Sequence, residues 1–151
     1  MLKNLDPLLS PDLLKVLGEM GHGDEIVLVD SNFTAASLGV GKPLIRMPGV
    51  GMRSACVAVL SLFPLDDFVE QPIAFMAVGG AAPGYRSALQ REVIGQLVAD
   101  GNAKDAQFEP MERFAFYERV RKAFAIVQTG ELQAWANFLF KKGVIMEPLR
   151  P

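Results

Sequence analysis

The stretch SPDLLKVLGEMGHGDEIVLVD (residues 10–30) contains, in order, a helix, a glycine-rich turn and a strand. Ser10-Pro11-Asp12 is typical of a helix start, with serine at the N-cap, proline at the first helical position and aspartate in the first turn. Apolar residues then recur at helical spacing as far as Gly21, where we predict the end of the helix. Glu25–Asp30 is apolar without alternation, which indicates a strand covered on both faces.

Helices and strands continue to alternate along the rest of the chain. This order predicts one α/β domain over residues 1–151, with a mostly parallel central sheet flanked by helices. Residues 146–151 are expected to form a tail or an interface segment. Beyond the first unit, the predicted strands are 44–47, 73–78, 125–129 and 137–144, and the predicted helices are 52–63, 85–99 and 113–123.

The chain is unusually apolar for its size. Half of its 151 residues are hydrophobic and only 21% are charged. No apolar run approaches the roughly 20 residues that a membrane-spanning helix requires, and residues 1–6 lack the pattern of a signal peptide. We therefore expect a cytoplasmic protein that buries apolar surface between subunits of a homo-oligomer.

Charge and cysteine content limit the classes of function. A net charge of −2 argues against a nucleic-acid partner, which would favour a basic face. One cysteine, Cys56, and one histidine cannot make a zinc site without other ligands, and Cys56 is expected in the core. The glycines match no phosphate-binding motif.

His22, the only histidine, lies in the turn Met20-Gly21-His22-Gly23-Asp24. Histidine can both give and take a proton near neutral pH, and flanking glycines allow a ligand to approach closely. Asp30 follows at the far end of the next strand as a carboxylate that could orient it. The alternative is that His22 only caps the preceding helix.

Two later clusters combine aromatic and polar side chains. Arg113 and Tyr117 are four residues apart on a predicted helix and share one face, which suits a polyhydroxylated ligand. Trp135 can cover the apolar face of a sugar ring, and the Asn137 amide can donate to and accept from hydroxyl groups. The alternative for each cluster is an aromatic anchor in the core or in an interface.

Together these segments resemble the RbsD/FucU family of sugar mutarotases, and especially its L-fucose mutarotase branch. The resemblance is carried by residues 8–30, by RFAFYERVRKAFAIVQTGE (residues 113–131) and by NFLFKKGV (residues 137–144). It implies an RbsD-like α/β subunit in a ring-shaped homo-oligomer, expected to be a decamer with sites between subunits. It implies neither a metal nor an organic cofactor.

The resemblance also implies roles for individual residues. His22 matches the catalytic histidine, Asp30 its supporting carboxylate, and Arg113, Tyr117 and Asn137 the positions that hold the sugar. Tyr117 or a water is the expected second proton carrier. Trp135 replaces the family's usual tyrosine, which keeps a stacking surface but removes a hydroxyl group.

The implied reaction is exchange of the α and β anomers of a reducing monosaccharide, most simply L-fucose, by ring opening and closure. General acid–base catalysis contributes roughly 10²–10⁴-fold to such a reaction. The Trp135 replacement leaves two alternatives open: a monosaccharide-binding or regulatory protein without catalysis, and activity of the D-ribose pyranase type.

Overall fold

A computed structural model describes residues 2–147, and most of the expected C-terminal tail (residues 148–151) lies outside the described residues. Six strands form one sheet in the order β2-β5-β1-β6-β3-β4. The strands are β1 (Glu25–Val29), β2 (Leu44–Met47), β3 (Ile73–Met76), β4 (Phe108–Met111), β5 (Ala125–Thr129) and β6 (Phe138–Lys141), and the helices are α1 (Pro11–Glu19), α2 (Ala35–Leu38), α3 (Met52–Leu60), α4 (Ala88–Ala99) and α5 (Arg113–Lys122).

The α/β prediction is confirmed, with one correction to the sheet. Three strand pairs are parallel, but β6 runs antiparallel to both of its neighbours, β1 and β3. The sheet is therefore mixed. Hydrophobic periodicity could place β6 as a strand but carries no information on its direction.

Helices cover both faces of the sheet, which explains why β1 shows no alternation. Ile26 and Leu28 pack into a cluster with α1, α3 and α4, while Val27 and Val29 pack into a second cluster with α2 and α5. All four side chains are fully buried. Cys56 lies in the first cluster, as expected.

The first helix begins and ends close to the predicted positions. The Ser10 hydroxyl accepts from the Leu13 amide, which is the expected N-cap. At the other end, the Lys142 ammonium donates to the carbonyls of Leu17 and Met20. Lys142, not His22, therefore satisfies this helix end, and the helix-cap interpretation of His22 is wrong.

The antiparallel direction of β6 brings its start beside the end of β1. Leu28 pairs with Phe138, and Glu25 pairs with Lys141 at the opposite edge. Residues just after β1 and just before β6 therefore meet at one edge of the sheet. Residues just before β1 meet those just after β6 at the other edge, where the Gly23 amide donates to the Lys142 carbonyl.

Among residues 2–147, no helix has the combined length and hydrophobicity that crossing a membrane would require.

Candidate functional site

A pocket of about 460 Å³ opens where β1 and β3 end and β6 begins. Small-molecule sites typically enclose about 300–1,000 Å³, and α/β sheets bind ligands beyond the carboxyl ends of their strands. The pocket combines polar groups with aromatic rings. Its lining consists of Asp30, Asn32, Phe33, Met76, Arg113, Tyr117, Ala134, Trp135 and Asn137.

Asp30 and Asn137 form a buried pair in this pocket. The Asn137 amide nitrogen donates to Asp30 Oδ2 at 3.0 Å, and Asn137 Oδ1 accepts from the Asp30 backbone amide at 3.0 Å. The second carboxylate oxygen, Oδ1, accepts from the Asn32 backbone amide. The pair is exposed by only 4% and 2%, so its geometry is fixed by the two strand ends.

Burial raises the pKa of Asp30 because the charged carboxylate has lost part of its hydration. The hydrogen bond from Asn137 and those from the Asn32 and Phe33 backbones oppose this shift. Asp30 is therefore a carboxyl group whose charge depends on a single side-chain donor. Such a group can accept from a sugar hydroxyl when ionised.

Arg113 and Tyr117 lie side by side at the start of α5, as their spacing predicts. Glu112 caps the helix by accepting from the Phe114 and Ala115 amides. Arg113 Nε then donates to the Tyr117 hydroxyl oxygen at 2.9 Å. Because a guanidinium cannot accept, the Tyr117 O–H proton remains available to a ligand.

Trp135 forms a wall of the pocket in an unusual backbone conformation. Its φ is +67°, a left-handed value that is a genuine outlier for a bulky residue. The outer edge of its indole lies so close to Gly79 that a Cβ there would approach the ring at 2.7 Å. Gly79 therefore leaves the space that the indole occupies.

We expect Gly79→Ala to displace the Trp135 indole and to lower the free energy of unfolding by about 1–3 kcal/mol. Trp135 is the only tryptophan, so its emission spectrum reports the displacement directly. Gly95→Ala is the matched control, because a Cβ at Gly95 meets nothing within 4 Å on exposed α4. It should leave the emission unchanged and add about 0.5–1 kcal/mol to stability. Unchanged emission in Gly79→Ala would contradict the described contact.

His22 lies at the opposite edge of the sheet from this pocket. Its Nε2 is 3.2 Å from Asp66 Oδ1, and its ring packs edge-on against Phe68 at 5.4 Å between centroids. A carboxylate only accepts, so Nε2 carries the proton in this pair. The Asp66 side chain is nearly buried, whereas that of His22 is 44% exposed.

The structure thus gathers five of the six predicted site residues and leaves one out. Asp30, Arg113, Tyr117, Trp135 and Asn137 line one pocket. His22 is separated from Asp30 by the length of β1, on the order of 15 Å at about 3.3 Å per residue. The expectation that Asp30 orients His22 is therefore wrong within one subunit, and Asp66 has that place.

Asp66 and Gln90 are residues of interest that sequence reasoning missed. Asp66 follows Pro64 in a loop without periodicity, and its burial depends on a backbone hydrogen bond to Lys141. Gln90 lies on the buried face of α4, where a polar residue breaks the apolar stripe; that break was the available indication. Within residues 2–147, no three His, Cys, Asp or Glu side chains lie together as metal ligands would.

Comparison with known proteins relates the whole described chain to one family. The model of the RbsD / FucU transport protein family matches residues 3–145. The L-fucose mutarotase of Glaesserella parasuis serovar 5 (strain SH0165) is 45% identical over 145 residues, covering 95% of this chain and 96% of that protein. The fucose mutarotase of Homo sapiens is 43% identical over 152 residues, covering 98% and 97%.

A solved structure agrees with these relatives. The crystal structure of the fucose mutarotase in complex with L-fucose from Streptococcus pneumoniae superposes with a TM-score of 0.84 at 42% identity, covering 96% of this chain and all of that one. Sequence and structure therefore agree over nearly the full length. The chain belongs to the RbsD/FucU family.

Proposed function

We propose that this protein is a sugar mutarotase that exchanges the α and β anomers of L-fucose. The observation that carries the proposal is the pocket itself, in which Asp30, Asn137, Arg113 and Tyr117 present hydrogen-bonding groups beside the indole of Trp135. Relatives more than two-fifths identical to this chain are named L-fucose or fucose mutarotases, which supports the same substrate.

The reaction needs two proton movements. One group removes the proton of the anomeric hydroxyl and another protonates the ring oxygen, so that the ring opens to the aldehyde. The C1–C2 bond then rotates and the ring closes on the other face. Because both protons are returned on closure, acid–base side chains suffice for the chemistry.

The pocket residues divide into binding and proton-transfer roles. Arg113 and the Asp30–Asn137 pair hold hydroxyl groups through charged and amide hydrogen bonds. Trp135 stacks on the apolar face of the ring, and Phe33 or Trp135 covers the C6 methyl group. Tyr117 is the proton carrier within the pocket, because its oxygen accepts from Arg113 while its own proton is directed elsewhere.

His22 acts, in this proposal, in the pocket of a neighbouring subunit. It cannot reach the pocket of its own chain, but it is half exposed and is held by buried Asp66. A surface carrying His22 on one subunit would then contact a different surface carrying the pocket on the next. Such head-to-tail contacts close into a ring when the rotation permits, and we propose a decamer.

Exposed apolar side chains at both surfaces support this contact. Phe68 packs against His22 and is 62% exposed. Beside the pocket, Phe114 contacts Tyr117 edge-on and is 67% exposed, and Leu132 is 76% exposed. Large apolar groups of this kind at opposite edges are typical of interfaces. Native mass spectrometry would give the subunit number.

Saturation-transfer NMR on the anomeric protons of L-fucose tests the function. Protein added at equilibrium should accelerate α/β exchange, with D-ribose and D-glucose run in parallel. Tyr117→Phe is the matched control because it keeps the ring and removes only the hydroxyl. Fucose binding by calorimetry without any acceleration would overturn the proposal in favour of a sugar-binding protein.

We also propose a cytoplasmic location. Its support is compositional: the one thiol, Cys56, is buried and unpaired, as is usual in a reducing compartment. Cell fractionation tests it.

A further inference from the structure

Gln90 is a fully buried polar residue outside the pocket whose hydrogen bonds end on a pocket residue. It lies in the first turn of α4 and has no exposed surface. Its amide nitrogen donates to the Met76 carbonyl at 2.8 Å and to the Trp135 carbonyl at 3.0 Å. Its oxygen accepts from the Ser87 backbone amide at 2.9 Å. Both donors and the acceptor are therefore used.

One set of these bonds belongs to the helix itself. Ser87 and Gln90 form a capping box, in which each side chain bonds to the backbone amide of the other. The capping box uses only the Gln90 oxygen and its backbone. It leaves unexplained why the nitrogen reaches two carbonyls on β3 and on the loop before β6.

The second set coincides with the strained residue of the pocket. A left-handed aromatic residue persists only where its surroundings hold it. The Gln90 amide fixes the Trp135 carbonyl from one side, and the narrow space over Gly79 receives the indole on the other. The same amide ties this loop to Met76, itself a pocket residue.

We propose that Gln90 is a positioning residue of the sugar site, which holds Trp135 in its left-handed conformation and thereby keeps the indole in the pocket wall. The inference rests on the proposed sugar-binding function of that pocket. Without the Gln90 donors, the loop is expected to relax, and the competent arrangement becomes a minor population that sugar must select.

Gln90→Glu separates the two roles of this side chain. Glutamate preserves the shape and the oxygen that accepts from Ser87, so the capping box is retained. It replaces the two-donor nitrogen by an oxygen that faces two carbonyls. Gln90→Met, of similar volume and without donors, serves as the second variant if the buried carboxyl prevents folding.

We expect Gln90→Glu and Gln90→Met to raise the KM for L-fucose about tenfold, as when the competent loop falls to about a tenth of the population. The kcat at saturating sugar should change far less, because bound sugar selects the competent loop. In the sugar-free protein, Trp135 emission should shift to longer wavelength and acrylamide quenching should increase.

Ser87→Ala is the matched control for helix capping. It removes the hydroxyl half of the capping box but leaves the Gln90 donors in place. It should lower Tm by a few degrees (about 2–4 °C) while emission, quenching and KM remain those of the unmodified protein.

The readouts separate this inference from the proposed function. Wild-type emission, quenching and KM in both folded Gln90 variants would overturn the positioning role and leave Gln90 as a helix cap. Altered emission and quenching together with a raised KM would support it. If the unmodified protein binds L-fucose but does not exchange its anomers, a tenfold weaker fucose affinity in the Gln90 variants replaces KM as the supporting result.

Discussion

His22→Gln is expected to slow L-fucose anomer exchange by about 10²–10⁴-fold, the usual contribution of a general acid–base group. Glutamine keeps a polar side chain of similar reach but cannot carry a proton in either direction. Sugar affinity should change little, because the hydroxyl-binding groups lie around the pocket of the other subunit. Saturation-transfer NMR gives the exchange rate, and calorimetry gives the affinity.

A mixed oligomer tests whether His22 acts across a subunit boundary. His22→Gln and Tyr117→Phe subunits are co-expressed, and the hybrid is compared with each variant alone. If every site takes His22 from one subunit and Tyr117 from its neighbour, random mixing restores both groups in about a quarter of the sites. No gain over the separate variants would contradict the shared site.

Asp66→Asn provides the matched change one step behind His22. It keeps the shape of the side chain but removes the carboxylate that orients the imidazole. An intermediate loss of exchange is expected, smaller than that of His22→Gln. Full activity would show that the Asp66 contact does not support catalysis.

The sequence could predict much of this fold because its strongest patterns are local. Ser10, Pro11 and the apolar spacing that follows define α1, and unbroken apolar runs place β1, β3 and β5. The 108–111 strand was missed because FEPM contains a proline and a charge, which are tolerated at the sheet edge where β4 lies. The short helix α2 was read as loop because its serine, alanine and glycine surroundings favour turns.

The site was predictable in its residue types but not in its arrangement. Arg113 and Tyr117 follow from helical spacing alone. The contact of Asp30 with Asn137 depends on β6 being antiparallel, and strand direction is set by tertiary packing over more than one hundred residues of intervening chain. The placement of His22 away from Asp30 follows from strand length, since a strand separates its two ends however close they are in sequence.

The buried Asp30–Asn137 pair makes the pocket sensitive to charge and to pH. Because burial holds the pKa of Asp30 above its ordinary value, the native state binds the proton more tightly than the unfolded chain. Its contribution to stability is therefore greatest below the unfolded pKa of about 3.9 and declines as pH rises through the native pKa. The Asn137 donor limits this decline, because its hydrogen bond lowers the pKa of Asp30.

Asn137→Asp should therefore destabilise the protein by about 2–4 kcal/mol at pH 7, which lowers Tm by about 5–15 °C. The substitution is isosteric, but it removes the donor and places two carboxylates about 3 Å apart, so that the pair retains a proton to higher pH. Thermal unfolding from pH 5 to pH 8 should show a loss that grows with pH. Asn32→Asp adds the same charge at an exposed rim residue and should cost less than about 0.5 kcal/mol. Equal, pH-independent losses in the two variants would contradict the buried pair, because only a desolvated carboxylate couples stability so strongly to protonation.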